Sequence, residues 1–415
     1  MDSLEKKRNK TSRKLKVVTL FSGVGAQESA LDKLGIDYEI VGYSEIDKFA
    51  IKSYNALYGE QPALGDIEKI EELPECDLCT YSSPCQDFSI AGDMKGVTDE
   101  NGNKTRSGLL LDVERLLNKS KEKGSLPKIL LMENVKNLVG KKFKPDFDKW
   151  LDALEELGYN NYWKILNAKN YGIPQNRERV FVVSILKECD KEGYVFPEPF
   201  KLEIRLADIL ESNVPESYYL SDKAIEKIKN SNFHSEANRI NNNDYCHTLR
   251  ARDDKGPLCI NELVIAASRG RYKENGNTEQ NIEVNKEGVS NTLTTATKDN
   301  YVLEPKVMQV ANYLEGEGGC WKNPNNGRIC SEKGISPTLN CTSGGNRESE
   351  KKDFRVRKLT EREYWRLMGF TDEQIDKVKA VGMSKSQMYK QAGNSIVVDV
   401  LYYIFKNMSL EYLTR

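Results

Sequence analysis

Lys16-Val17-Val18-Thr19-Leu20-Phe21-Ser22-Gly23-Val24-Gly25 is the stretch that decides the fold. An apolar run of strand length stops at two glycines one residue apart; Ala30, Leu31 and Leu34 then share one helical face until Gly35. Tyr38 to Ser44 makes a second strand, closed by Glu45-Ile46-Asp47. Glycines directly after a strand permit a tight turn and let a ligand approach the backbone. Glu45 follows Gly25 by about 20 residues, where an acid after the second strand reaches ribose hydroxyls in a nucleotide-type site. Glu28 replaces the third glycine of the dinucleotide pattern, which speaks against a pyrophosphate and for a nucleoside ligand without phosphates. A lone glycine pair is more often a structural turn, but Glu45 and Asp66 at successive strand ends add weight to a binding role.

The alternation continues outward. A helix spans Lys48 to Tyr58, a short strand ends at Gly65-Asp66-Ile67, and a strand from Asp77 to Tyr81 feeds Pro84-Cys85-Gln86. The polar stretch from Ala91 to Ser107 is long for a loop inside a compact domain unless it is functional, and reads as a lid. Leu109 to Lys119 is a helix, Lys128 to Met132 a strand with Glu133-Asn134-Val135 at its end, Phe147 to Leu157 a helix capped by Gly158, and Val180 to Leu186 a strand. Such alternation indicates an α/β, doubly wound sheet with ligands at the carboxyl ends of its strands.

From about Lys201 to Asp353 the chain turns rich in Asn, Thr, Ser and Gly. Cys246-His-Thr-Leu249, Ser290-Asn-Thr-Leu293 and Ser336-Pro-Thr-Leu339 form a weak repeat, compatible with irregular β units or with chance. Arg355 onward is helical again, and Gly393-Asn394-Ser395 leads into an apolar helix from Ile396 to Phe405 that should return to the first domain. The expected organisation is a flexible basic arm (1–15), an α/β domain (16–200), a smaller β-rich domain (201–353) and a segment returning to the first domain (354–415).

With 415 residues, 38% hydrophobic and 30% charged, the chain has the size and composition of a two-domain globular protein. It carries neither an apolar run of about 18 residues nor a secretory h-region, so the expectation is a cytoplasmic protein without membrane contact. Nine irregularly spaced cysteines suit reduced thiols. Cys76 and Cys79 have CxxC spacing, but neither a second pair nor a suitably spaced histidine accompanies them, and no metal is expected. The net charge of −1 means that a polyanion partner would need a local basic patch.

Cys85 sits directly after a strand, where a thiol can act as a nucleophile. A single cysteine is commonly a small buried hydrophobe, so the weight lies in its company: the glycine turn before it, and Glu133 and Gln175-Asn176-Arg177-Glu178-Arg179 after it. Alone, Arg177 and Arg179 would read as surface salt bridges.

Taken together, Phe21-Ser22-Gly23-Val24-Gly25, Glu45, Asp66, Pro84-Cys85-Gln86, Glu133-Asn134-Val135, Gln175 to Arg179 and Gln391-Ala392-Gly393-Asn394-Ser395 stand in the order seen in DNA cytosine-5 methyltransferases. The chain resembles that family, in its bacterial or phage form, over residues 16 to 190 and 355 to 410. The resemblance implies a Rossmann-like methyltransferase domain, with residues 201–353 as a β-rich target recognition domain. S-adenosyl-L-methionine would be the donor, S-adenosyl-L-homocysteine the product, and a cytosine in double-stranded DNA the acceptor. Cys85 would be the thiolate, Glu133 would hold ring nitrogen 3 and the exocyclic amine, and Arg179 the ring carbonyl. Arg177 would support the same pocket or the backbone, with Gln86 and Ser89 on the DNA side. For the cofactor, the resemblance implies Phe21, Ile67 and Leu109 against the adenine, Glu45 at the ribose, Asp66 at the adenine amine, and Ile46 among the cofactor contacts. Gly23, Val24, Gly25 and Pro84 would complete the wall, with Asn394 and Ile396 returning to it. It further implies a monomer, and for members of restriction–modification systems a companion restriction endonuclease.

The chemistry agrees. Carbon 5 of cytosine is a poor nucleophile until something adds at carbon 6, which a thiolate can do. The base must leave the duplex first, and the resemblance implies that the Ala91 to Ser107 stretch closes over the DNA. Two alternatives stay open: an enzyme of the same fold acting on tRNA, against which the long 201–353 segment argues, and a catalytically silent DNA-binding module, against which Cys85, Glu133 and Arg179 argue together. Arg250, Arg252, Arg269, Arg271, Arg328 and Arg347 are candidates for base or phosphate contacts and equally for solvated surface.

Overall fold

Successive side chains of a strand face opposite ways, and β1 (Leu15–Leu20) is sealed on both sides. Val18 and Leu20 enter the large apolar core. Thr19, between them, donates from Oγ1 to the buried Glu28 Oε1 at 2.7 Å on the other face. A strand covered on both faces belongs inside a sheet with helices on each side. The computed structural model describes residues 13–84, 107–204, 208–219, 221, 264–272, 278–285, 290–291, 300–305, 308–312, 328–331, 354–408 and 410.

The described chain separates into two compact units, one built from residues up to Ile204 and from Glu361 onward, the other from residues between Arg205 and Thr360. In the first, β1, β2 (Tyr38–Ser44), β3 (Leu78–Tyr81), β4 (Ile129–Val135), β5 (Tyr159–Asn167) and β7 (Glu178–Leu186) form a six-stranded sheet in the order β2-β1-β3-β4-β7-β5, with the short β6 (Gln175–Asn176) just ahead of β7. The first four are parallel, and β7 runs antiparallel to both β4 and β5. This is a mixed, Rossmann-like α/β sheet. The chain leaves β1 toward β2 on one side and returns to β3 on the other, so a crevice opens at the carboxyl ends of β1 and β3.

One face carries α3 (Leu110–Glu122) and α4 (Lys144–Leu157). Val113, Leu116 and Leu117, then Phe147, Trp150 and Leu154, recur at helical spacing and bury against Leu20, Tyr81, Met132 and Val182. The other face carries α1 (Ala26–Leu34) and, beside it, α2 (Lys48–Tyr58), with four C-terminal helices: α5 (Glu361–Arg366), α6 (Asp372–Ala380), α7 (Lys385–Asn394) and α8 (Val398–Asn407). Helix α8 packs on α1, where Lys33 Nζ reaches Asp399 Oδ1 at 2.6 Å, and α6 packs on α2.

Several local expectations need correction. The strand expected to end at Ile67 is a single bridge between Tyr43 and Ala63, followed by a 3-10 turn, Ile67–Lys69, that Asp66 caps. Glu133 and Asn134 lie within β4 rather than beyond its end. Arg13, expected in the arm, is fixed by a bidentate pair to Asp77. Strand β5 and helix α7 were not anticipated. Residues 91–106 of the expected lid, and the Thr-Leu pairs of all three repeats, lie outside the described residues.

In the second unit, Phe354–Lys358, Asn300–Pro305, Val264–Tyr272 and Thr278–Asn285 form an antiparallel sheet in that spatial order, and Met308–Asn312 pairs with Arg328–Ser331. Among the described residues no helix is long and apolar enough to cross a membrane, and no group of His, Cys, Asp and Glu could hold a metal ion.

Candidate active site

The carboxyl edge of the sheet holds a cavity of about 330 Å³, within the size range of small-molecule sites. Each wall comes from the end of one strand. Beyond β1 come Phe21, Ser22, Gly23 and Val24; beyond β2, Glu45, Ile46 and Asp47; beyond β3, Ser82, Ser83 and Pro84; from β4, Glu133 and Val135. Because β7 runs antiparallel, its first residues reach this edge, and Arg179 lies opposite Val135 in register. Glu133 and Val135 share one side of β4, so Arg179 meets Glu133 diagonally, Nε to Oε1 at 3.1 Å. Ser82 Oγ donates to the other oxygen, Glu133 Oε2, at 3.1 Å. The Glu133 carboxylate is thereby held on two sides at the cavity wall.

The glycine turn is built as tightly as its sequence suggested. Among the described residues Phe21 is the only non-glycine with positive φ, at 56°, a conformation that costs energy and concentrates at ligand sites. The amide of Gly23 donates to Glu45 Oε2 at 3.0 Å, and Glu45 Oε1 accepts from the amides of Ile46 and Asp47, each at 2.8 Å. The acid that follows the second strand is thus oriented by backbone from two segments. Asp66 and Ile67 reach the same cavity because Ser44 Oγ donates to the Gly65 carbonyl and Arg115 donates to the carbonyls of Ile67 and Ile70. Leu109, Asn394 and Ile396 complete the lining, and Ile46 is 73% exposed, leaving an apolar surface for a flat ring.

Two expectations about this turn change. Gly25 does not line the cavity; it caps α1 at φ 83°, and a Cβ there would lie 2.2 Å from the Tyr58 ring. Its smallness serves helix packing. Glu28 does not face the ligand space either, so it carries no argument about phosphates. Its Oε1 accepts from Thr19 and from the Tyr54 hydroxyl at 2.8 Å, and burial pushes its carboxyl above the ordinary glutamate range against those hydrogen bonds.

The C-terminal helices close the site. Arg177 is buried and donates from Nη2 to the carbonyls of Gly393 and Ser395 at 3.1 and 2.8 Å, so it fixes the turn that carries Asn394. Gln391 donates to the Phe49 carbonyl and accepts from Ser53, while Lys390 Nζ meets Asp47 Oδ2 at 2.7 Å. Burial pulls Asp47 up, but Lys390 and the amides of Phe49 and Ala50 outweigh it and hold the carboxylate below the ordinary aspartate range. The sequence assigned no site role to the cavity-lining Ser22, Gln27, Asp47, Ser82 and Lys390, although Ser22 stands inside the glycine-turn motif and Asp47 carries the local signal of a helix cap ahead of α2. Cys85 and Gln86 lie outside the described residues; Pro84, bonded to Cys85, is on the wall.

Among the described residues, Ser22 Oγ and Gln27 Oε1 are buried without a hydrogen-bond partner, although both residues line the cavity. Buried polar atoms without partners are costly, and at a cavity wall they suit a polar ligand. The donor set, with acids at Glu45 and Asp66 and apolar walls at Phe21, Ile67 and Ile396, fits a nucleoside with a polar tail.

The family model described as C-5 cytosine-specific DNA methylase matches residues 15–410. The orphan methyltransferase M.SPRI of Bacillus phage SPR is 34% identical, covering 97% of this chain and 99% of that protein. The type II methyltransferase M.HhaI of Haemophilus parahaemolyticus is 31% identical over 95% of this chain and 94% of its own length. Among solved structures, the S. pombe Dnmt2 methyltransferase shares the fold with a TM-score of 0.55 at 19% identity, over 97% of this chain and 99% of that one. A match spanning both the sheet edge that forms the cavity and the helices that close it is decisive: the chain belongs to the C-5 cytosine-specific DNA methylase family.

Proposed function

We propose that this DNA cytosine-5 methyltransferase uses S-adenosyl-L-methionine to methylate carbon 5 of a cytosine flipped out of double-stranded DNA, through a covalent Cys85 adduct at carbon 6. The observation that carries the reading is the meeting of Glu133 and Arg179 on the wall that Pro84 and Glu45 share. When bound, the cofactor supplies an electrophilic methyl group on a sulfonium. Glu45 binds the ribose hydroxyls, Asp66 takes the adenine amine, and Phe21 and Ile67 cover the adenine faces.

Cys85 adds as thiolate to carbon 6, which makes carbon 5 an enamine nucleophile. Glu133 gives a proton to ring nitrogen 3 as the thiolate adds and accepts from the exocyclic amine, which draws electron density from carbon 6 and selects cytosine; nitrogen 3 returns that proton when the thiolate leaves. Arg179 steadies charge at the ring carbonyl while holding Glu133 in place. Loss of the carbon 5 proton after methylation expels the thiolate and restores the ring. Arg177 acts by fixing the Gly393–Ser395 turn rather than by touching the base. In this reading the enzyme works as a monomer on DNA and releases S-adenosyl-L-homocysteine.

Duplex DNA carrying 5-fluorocytosine tests the adduct, because fluorine at carbon 5 cannot leave as a proton does. The wild type with S-adenosyl-L-methionine should form a complex that survives denaturing electrophoresis, and Cys85→Ala should form none. An equally stable complex with Cys85→Ala would remove Cys85 from the mechanism. Substituting tRNA for DNA in the same assay discriminates against the RNA-directed alternative.

A further inference from the structure

A directed chain of hydrogen bonds runs from helix α6 to the glycine turn. Gln374 Nε2 donates to Ser29 Oγ at 2.8 Å. Ser29 Oγ and Tyr58 Oη lie 2.6 Å apart, and Tyr58 Oη donates to the Gly25 carbonyl at 2.5 Å. The proton order follows from counting. A carbonyl cannot donate, so the single Tyr58 proton goes to Gly25; Ser29 must then give its own proton to Tyr58 and accept from Gln374. Burial, reinforced by Glu28, pushes the Tyr58 phenol well above the ordinary tyrosine range, so it keeps that proton.

The far end of this chain lies two residues from Gly23 on the cavity wall. Gly25 caps α1 in the left-handed region without a side-chain cap of its own, and its ring neighbours Tyr58 and Tyr54 leave no room for a Cβ. Two residues earlier, the Gly23 amide holds Glu45. The turn is therefore suspended between Tyr58 at Gly25 and the Glu45 carboxylate at Gly23. At the other end, the Oε1 atom of Gln374 accepts from the Thr371 amide in a capping box, so the side chain is anchored and its nitrogen aimed. Thr371 and Gln374 belong to the segment that follows the second unit in sequence, far from Gly25 along the chain.

We infer that Gln374 is a remote positioning residue for the methyl donor: through Ser29 and Tyr58 it fixes the glycine turn and, with it, the ribose-binding carboxylate of Glu45. This rests on the cofactor reading above. Two substitutions break the chain at different links. Gln374→Glu preserves the capping box, where glutamate is an ordinary choice, but replaces the donor with an acceptor that draws the Ser29 proton away from Tyr58. Tyr58→Phe keeps the ring beneath Gly25 and removes only the hydroxyl.

Calorimetric titration of S-adenosyl-L-homocysteine into the wild type and each variant, with folding verified by circular dichroism at the same temperature, tests the assignment. Both variants should bind roughly fivefold more weakly, the scale of one lost hydrogen bond. In turnover assays KM for S-adenosyl-L-methionine should rise while KM for DNA stays put. Wild-type affinity in both variants overturns the positioning role. Equal losses in cofactor and DNA KM overturn it too, by showing general disruption. A wild type that does not bind S-adenosyl-L-homocysteine instead overturns the cofactor reading, and the positioning role with it.

Discussion

Glu133 and Arg179 hold each other, Glu133 also takes a hydrogen bond from Ser82, and in the proposed reading both face the base rather than the cofactor. Removing either should therefore act on the chemical step. Arg179→Ala and Glu133→Gln are each expected to lower kcat by a factor of about 100 or more, the scale of a lost acid or electrostatic contact, with KM for S-adenosyl-L-methionine changed less than threefold. Single-turnover kinetics checks this. Gly25→Ala should behave oppositely. A Cβ at φ 83° costs about 1 kcal/mol in backbone strain alone, and the Tyr58 ring stands where it would go. The expected result is a lower Tm and weaker cofactor binding, measured by differential scanning fluorimetry with and without S-adenosyl-L-homocysteine. At this scale Glu45, Glu133 and Arg179 were legible as residue types in an ordered set of motifs. The strained Phe21 backbone and the inward turn of Glu28 were not, because both follow from packing that no local pattern encodes.

At the scale of elements, one acid ties three strands together. Asp77, just ahead of β3, accepts from Arg13 at 2.8 and 2.5 Å and from the Lys16 amide at 3.1 Å, and pairs with Lys128 at 3.0 Å. Those partners stand at the starts of β1 and β4. Burial raises the Asp77 pKa, but Arg13, Lys128 and the Lys16 amide outweigh it and lower the carboxylate below its ordinary value. The folded-state pKa is depressed, so the stabilisation is complete above the unfolded value of about 3.9 and is lost as pH falls through the folded value. Asp77→Asn should cost roughly 2 kcal/mol at pH 7, as for a hydrogen bond to a charged group. The difference from wild type should shrink as pH drops below about 4, which thermal melts across pH 3–8 would show; a difference constant with pH would refute the linkage. Strands β1, β3 and β4 were legible because buried parallel strands are apolar runs, and β2 because the Glu45-Ile46-Asp47 stop marks its end. Strand β5 was not, because Asn160, Asn161 and Lys164 break its apolar pattern. Helix α7 was missed for a like reason, its Lys385-Ser-Gln start being polar, although Ser384 caps it.

At the scale of the whole molecule, the change in composition near Lys201 and the division of the chain near Ile204 are close in sequence, while the strand Phe354–Lys358 pairs within the second unit. Composition reports where a core of apolar periodicity stops; it does not report which strands pair, and so the return to the first unit begins later in the chain than its helical pattern suggested. The claim that joins both units is methylation of carbon 5 of cytosine in DNA, with Cys85 as nucleophile. Genomic DNA from a host lacking 5-methylcytosine, expressing either the wild type or Cys85→Ser, can be sequenced by a chemistry that reports this base. The expected result is 5-methylcytosine at one recurring sequence with the wild type and none with Cys85→Ser. Unmodified DNA from a host making folded wild-type protein, or the same methylation with Cys85→Ser, would contradict the account.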